Sequence, residues 1–368
     1  MKRKRTLILA CIAMTTLAAT AQETVADTCL AVADTCLAEA DTATFVGGRY
    51  VNRVCADARL RQPKSGIHII GSGPDIRVTS TFQGTPEGGT AYTDAVNEYR
   101  RRLSPEVRVY SMILPIASAY YTPDAGLSST RDQKATIDGM YGRLHDVTTI
   151  DAFTALAWHV REPIYLRTDH HWAPLGAYYA AEAFARAAGV PFRDLSHYEK
   201  KTVHHFLGTM YTVYTKDPAV GRAPEDFDYY VPRDAGYSTT AITYRLGKNR
   251  AVTGQDGPKE VSFFREYKDG SHAAYCTFMG GDSNTTKVTT SAGNGRRLLI
   301  IKDSYGNALP GYLFHSFEEI HVIDFRYFPG NVLSYVQANG ITDLLFAHCI
   351  SLAYTAKTGQ GLRRMLDR

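Results

Sequence analysis

The last seventy residues constrain the fold most. An apolar run at 298–301 reads as a buried strand, and the expected helix at 306–317 follows it. A second strand at 320–325, a helix at 331–339 and a third strand at 344–347 continue the pattern. Strand, helix, strand, helix, strand is the unit of an open parallel sheet, in which function gathers at the carboxyl ends of strands. Ser304 stands at such an end.

The amino-terminal half fits the same plan. Residues 67–70 read as a strand broken by Gly71-Ser72-Gly73-Pro74, and 93–103 has helical spacing. The stretch 107–114 is apolar on both faces, as a covered strand in a parallel sheet must be. Helix at 132–144, strand at 147–150 and helix at 152–159 follow. Pro174 suits a first helical position, residues 175–188 are apolar nearly all round, and Gly189-Val190-Pro191 stops them. Between 200 and 295 the helical period fades. Residues 261–264 and 273–278 read as strands of small antiparallel hairpins, in an irregular β-rich insertion that decorates the site and is not a separate domain. The expected class is α/β: a mostly parallel sheet flanked by helices, with that insertion.

The 368 residues give room for one large domain or two ordinary ones. Lys2-Arg3-Lys4-Arg5, an apolar stretch to Ala18 and Ala19-Thr20-Ala21 make residues 1–21 a signal peptide, too short in its apolar part to span a membrane. The mature chain is then periplasmic or extracellular. Cys11 lies too early, with bulky Leu9 before it, for lipidation. Residues 25–31 recur as 32–38, and two copies with weak helix formers make 22–46 a tether, with the folded part starting near 47. Cys29, Cys36, Cys55, Cys276 and Cys349 survive cleavage, so at least one is unpaired within a monomer, and Cys349 reads as a buried thiol. A net charge of +4 without basic runs beyond the leader excludes a nucleic-acid binder. The 24 tyrosines suit a sugar-stacking surface, but ordinary sheet surface and core is the commoner use of such residues.

The densest chemistry lies at Thr168-Asp169-His170-His171-Trp172. In an extended chain residues two apart share a side, so Asp169 holds one nitrogen of His171 while the other faces a nucleophile, and His170 points the opposite way, into the structure or toward a bonding partner. Trp172 then walls the site, stacks on a sugar or fills the core. Ser304 follows a strand and enters a turn, where the next backbone N–H groups can receive an oxyanion and Gly306 lets a substrate approach; a plain helix cap explains the serine as well. A zinc site would need Asp169 plus ligands such as His159, His204, His205 or His315, none at a metal-type helical spacing.

The stretch from Tyr165 to Trp172, followed by Leu175-Gly176-Ala177-Tyr178-Tyr179, resembles the signature of the DHHW proteins, relatives of the SGNH-like domains of alginate O-acetylation proteins. The resemblance extends to Asn97-Glu98-Tyr99, Phe206-Leu207-Gly208-Thr209, Lys302-Asp303-Ser304-Tyr305 and Ile323-Asp324-Phe325-Arg326-Tyr327, and covers most of 66–350. It implies a flavodoxin-like sheet of circularly rearranged order, with Asp169 and His171 ahead of Ser304, whereas ordinary SGNH hydrolases put the serine block first. By matching motifs Ser304 is the nucleophile, His171 the base and Asp169 its orienter, with no cofactor. The implied activity is O-acetyl transfer to, or removal from, an exported polysaccharide, with a membrane-bound O-acyltransferase as the partner that supplies acetyl groups. The alternative is a non-catalytic glycan-binding or scaffold protein of the envelope. Two residues depart from the pattern: Lys302 replaces the glycine of the usual Gly-Asp-Ser block, and Ala173 stands where relatives often have Thr. Lys302, Tyr305 and Asn307 are the candidates to replace or complete the oxyanion site, with Trp172 beside the substrate. The literal Gly281-Asp282-Ser283 leads into no helix and reads as a decoy.

Overall fold

A computed structural model describes residues 45–46, 49–50 and 54–368. The segment read as a signal peptide, the 25–38 repeat, Cys11, Cys29 and Cys36 lie outside the described residues. Strands β1 (Phe45–Val46) and β2 (Arg49–Tyr50) pair antiparallel in a small amino-terminal unit; a second unit takes in everything from residue 52 onward.

In the second unit β3 (Leu60–Lys64), β4 (Ile67–Ile70) and β5 (Arg77–Ser80) form an antiparallel sheet. Its Ile67, Ile69 and Val78 are buried in one cluster with Met210 and Val220. The main sheet contains β6 (Arg108–Leu114), β7 (Thr148–Thr149), β10 (Tyr237–Leu246), β11 (Val252–Glu260), β12 (Asn284–Thr290), β13 (Arg297–Lys302), β14 (Glu319–Asp324) and β15 (Asp343–Cys349). Its order is β11-β10-β12-β14-β13-β15-β6-β7. From β14 to β7 the pairs are parallel, and from β11 to β14 antiparallel. A further hairpin joins β8 (Tyr198–Phe206) to β9 (Glu225–Pro232).

Strands β6, β13 and β15 are buried along nearly their whole length, so both sheet faces are covered. Helix α1 (Thr90–Arg102) packs against the carboxyl-terminal α6 (Ala356–Asp367). Between them in sequence come α2 (Gln133–Tyr141), α3 (Ala152–Ala157), α4 (Pro174–Ala188) and α5 (Val332–Ala338). Pro174 opens α4 and Gly189, at φ 64°, closes it in the left-handed conformation.

Three expectations change. The 200–295 segment is woven into the main sheet, since β10, β11 and β12 extend it beyond β14. Residues 261–264 and 273–278 form no ladder: Phe264 and Phe278 share a single bridge and Ala274–Thr277 is a 3₁₀ turn. Their hydrophobicity serves ring packing instead, with Phe263 edge-on to Phe314 at 5.0 Å. The segment 306–317 is two 3₁₀ turns, Ser304–Ala308 and Pro310–Leu313, because Pro310 has no N–H to continue a helix.

From β13 the chain moves to β14 on one side and then to β15 on the other. The carboxyl end of β13 is therefore a topological switch point, where open α/β sheets bind ligands. Ser304 lies two residues beyond it.

Candidate active site

The Ser304 turn is built by its neighbour. Asp303, fully buried, accepts the Cys349 N–H on Oδ2 at 2.8 Å and the Tyr305 N–H on Oδ1 at 2.9 Å. It ties the ends of β13 and β15 together. Burial pushes its carboxyl above the usual range, against the pull of Arg326 and these two N–H groups.

The Asp169 loop is built differently. Tyr165 and Trp172 pair as an antiparallel bridge, and the residues between them form a bend, not the extended strand expected. Asp169 Oδ1 accepts both the backbone N–H of His171 at 3.0 Å and its Nδ1–H at 2.6 Å, an Asx-type turn that brings residues two apart together without a pleat. Asp169 Oδ2 accepts the backbone N–H of Thr209 at 2.7 Å and its hydroxyl at 2.9 Å. A β-carbon on Gly208 would lie 2.3 Å from that of Asp169, so only glycine allows this approach. One residue earlier, Glu225 of β9 takes the Thr168 N–H and hydroxyl on Oε1, both at 2.6 Å, and the Arg167 N–H on Oε2 at 2.7 Å.

His171 Nε2 lies 2.8 Å from Ser304 Oγ. Asp169 and His171 are buried, and Ser304 is half-buried. Burial alone would raise the Asp169 carboxyl, but His171, His170 and the Thr209 N–H outweigh it and hold it well below the usual carboxylate range. An ionised carboxylate only accepts, so Nδ1 of a neutral His171 carries the proton and Nε2 can accept from the serine.

His170 has the bonding partner expected of it but stays beside His171 instead of on the opposite side. Its ring lies 3.8 Å from that of His171 and its Nδ1 is 2.5 Å from Thr209 Oγ1. Burial, then the neighbouring His171, pulls it down to about 4. Asp169, His170 and His171 place potential ligand atoms within 4.8 Å of one another and are the one such group among the described residues. Those atoms bond to one another and to Thr209. His159 bonds Glu162 and His204 bonds Asp226 instead.

The remaining candidates have other partners. Lys302 is buried, with Nζ 3.1 Å from Asp324 and 3.4 Å from Asp282. Asn307 Nδ2 donates to Asp282 at 2.8 Å, and Arg326 bridges Asp282 and Asp324 at 2.9 and 2.6 Å. The Tyr305 hydroxyl donates to the His170 carbonyl. Its N–H, like that of Gly306, bonds Asp303, so neither backbone donor faces an oxyanion. Trp172 is fully buried and donates Nε1–H to the Tyr305 carbonyl at 2.9 Å, which leaves no face for a sugar. Gly306 makes room for Lys302, whose Cβ would sit 2.5 Å from an added β-carbon.

Sequence reasoning passed over Glu225 and Tyr275, which no local pattern marks. It set aside Asp282 because Gly281-Asp282-Ser283 failed as a nucleophile block, yet its acid joins Lys302, Asn307 and Arg326. The Phe206–Thr209 and Ile323–Tyr327 stretches carried the signal for Thr209 and Arg326.

The architecture and motifs have counterparts. The structure of a DHHW family protein from Eubacterium siraeum superposes with a TM-score of 0.75 and 35% identity, over 85% of this chain and 98% of that one. Bacillus cereus PatB1 superposes with a TM-score of 0.57 and 20% identity, over 81% and 98%, and thus shares the fold. A second PatB1 structure, with a sulfonyl adduct, gives 0.56 and 18% over 79% and 95%. No curated protein matches the chain. The family model of the DHHW proteins matches residues 86–323, and with that match and the identity to the Eubacterium siraeum protein the chain belongs to the DHHW family.

Proposed function

We propose that this chain is an exported serine O-acetyltransferase or acetylesterase acting on a cell-envelope or extracellular polysaccharide. The observation that carries the reading is the unbroken chain from Asp169 through His171 to Ser304, at 2.6 and 2.8 Å, at a switch point of a parallel sheet. Ser304 Oγ attacks the acyl carbonyl carbon while its proton passes to His171 Nε2. Asp169 holds the imidazolium, which then protonates the departing oxygen of the donor. The acceptor, a sugar hydroxyl or water, attacks the acyl-serine and gives its proton to His171, and Ser304 recovers it as the C–O bond to the enzyme breaks. With Tyr305 and Gly306 committed to Asp303, the Ser304 N–H is the backbone donor of the turn assigned to the oxyanion. A membrane-bound O-acyltransferase is the proposed source of acetyl groups for the transferase form.

The test is release of p-nitrophenol from an acetyl ester together with labelling by a sulfonyl fluoride, the reagent class suggested by the adduct on PatB1. Wild type turns over ester and carries the label on Ser304; Ser304→Ala does neither. Undiminished turnover by Ser304→Ala sinks the mechanism and favours a glycan-binding role.

A further inference from the structure

The ring of Tyr275 lies flat on the imidazole of His171, with centroids 3.8 Å apart and planes within 7°. We propose that Tyr275 is a positioning residue for the candidate triad, whose aromatic face stabilises the imidazolium formed as Ser304 loses its proton. The inference rests on the triad reading above and adds a residue that lies in neither motif.

The ring has little freedom. Tyr275 is buried, and its hydroxyl donates to the Tyr305 carbonyl at 3.2 Å. The same oxygen accepts Trp172 Nε1–H, so one backbone atom next to the nucleophile anchors the residue after the base and the ring on the base. Phe227 and Phe278 stand edge-on to Tyr275 at 6.2 and 6.0 Å, each at 74°. The other rings touching His171 are inclined, Tyr305 at 53° and His170 at 38°. Tyr275 alone among these three presents a parallel face.

A π face is negative, so it attracts imidazolium more strongly than neutral imidazole. The gain arises only as charge develops, which is what accelerates a step. The segment between β11 and β12 would thereby act on the chemistry without touching the substrate.

The test separates electrostatics from shape. Tyr275→Phe keeps the face and loses only the hydroxyl, and should stay within about twofold of wild type in kcat on the acetyl ester. Tyr275→Leu should lower kcat by roughly tenfold with KM little changed, the size expected for a buried cation–π contact. If Tyr275→Leu does not fold, phenylalanines with one, two and three ring fluorines at position 275 keep the shape and drain charge from the face. Then log kcat should fall stepwise with each fluorine. A flat fluorine series in an enzyme whose turnover depends on Ser304 overturns the role of Tyr275 and leaves the triad standing. Absence of Ser304-dependent turnover in wild type overturns the triad reading, and the role of Tyr275 with it.

Discussion

The two halves of the site are held by different means. The Ser304 turn hangs on the regular sheet: it follows β13, and Asp303 locks it to β15 through backbone N–H groups. The Asp169–His171 loop is irregular and is held by side chains from elsewhere, with Thr209 and Gly208 beneath the acid, Glu225 beneath Thr168 and Tyr275 on the imidazole. Those residues come from the segment that reads least regularly. A mainstay of the sheet should therefore reveal itself as stability, and a mainstay of the loop as rate.

Asp169→Asn gives the largest expected effect. The amide keeps the size of the carboxylate but no longer fixes His171 with Nε2 free to accept. Turnover should fall by about 10³- to 10⁴-fold, the scale seen when a triad acid becomes an amide. The amide keeps one of the two acceptor oxygens that serve four donors, so stability should also fall, by about 1–3 kcal/mol, which is less than the loss in rate. A loss of under tenfold would show that the loop does not act through this carboxylate.

Asp303→Ala should reverse the balance. It removes both acceptors at a fully buried position and leaves the Cys349 and Tyr305 N–H groups unpaired. Each such group costs about 1–3 kcal/mol, so urea unfolding should show a loss of roughly 2–5 kcal/mol. If stability holds while rate alone collapses, the ends of β13 and β15 are fastened by something other than Asp303.

The same contrast explains what was legible. The strands at 298–301, 320–325 and 344–347 announce themselves because both faces are buried, and β13, β14 and β15 lie there. Ser304, His171 and Asp169 could be named from their motifs, although the extended backbone expected between Asp169 and His171 is an Asx turn. What escaped depends on long-range contact. Lys302 was placed near an oxyanion because nothing local shows Asp282 and Asp324 beside its ammonium. Trp172 stays open between site wall, sugar platform and core in the sequence because its burial is decided by the turn at 305, more than a hundred residues away. Tyr275 sits in a run with strand-like composition whose rings pack on one another and on His171.

The smallest effect concerns acid. His348 is the penultimate residue of β15, fully buried, and neither ring nitrogen has a hydrogen-bond partner among the described residues. Burial, then Arg326 and Lys302, pulls it down to about 3. Between that value and the ordinary histidine pKa of about 6.5 the unfolded chain binds a proton that the folded chain refuses. Stability is thus complete above about pH 6.5 and erodes as pH falls toward 3, by at most about 1.4 kcal/mol per pH unit for this group. His321, buried and pulled down to about 4, adds a similar slope. His170, in the loop half, also titrates near 4 and adds a similar slope. Two of these three histidines, His321 and His348, lie in the sheet half. His348→Leu removes one share of the acid sensitivity: between pH 7 and pH 5 its unfolding free energy should drop by about 2 kcal/mol less than that of wild type. At pH 7 it should be at least as stable, since a nitrogen without a partner costs more in a core than a methyl group does. Equal acid slopes in urea titrations of the two proteins would show that His348 carries no share of the sensitivity.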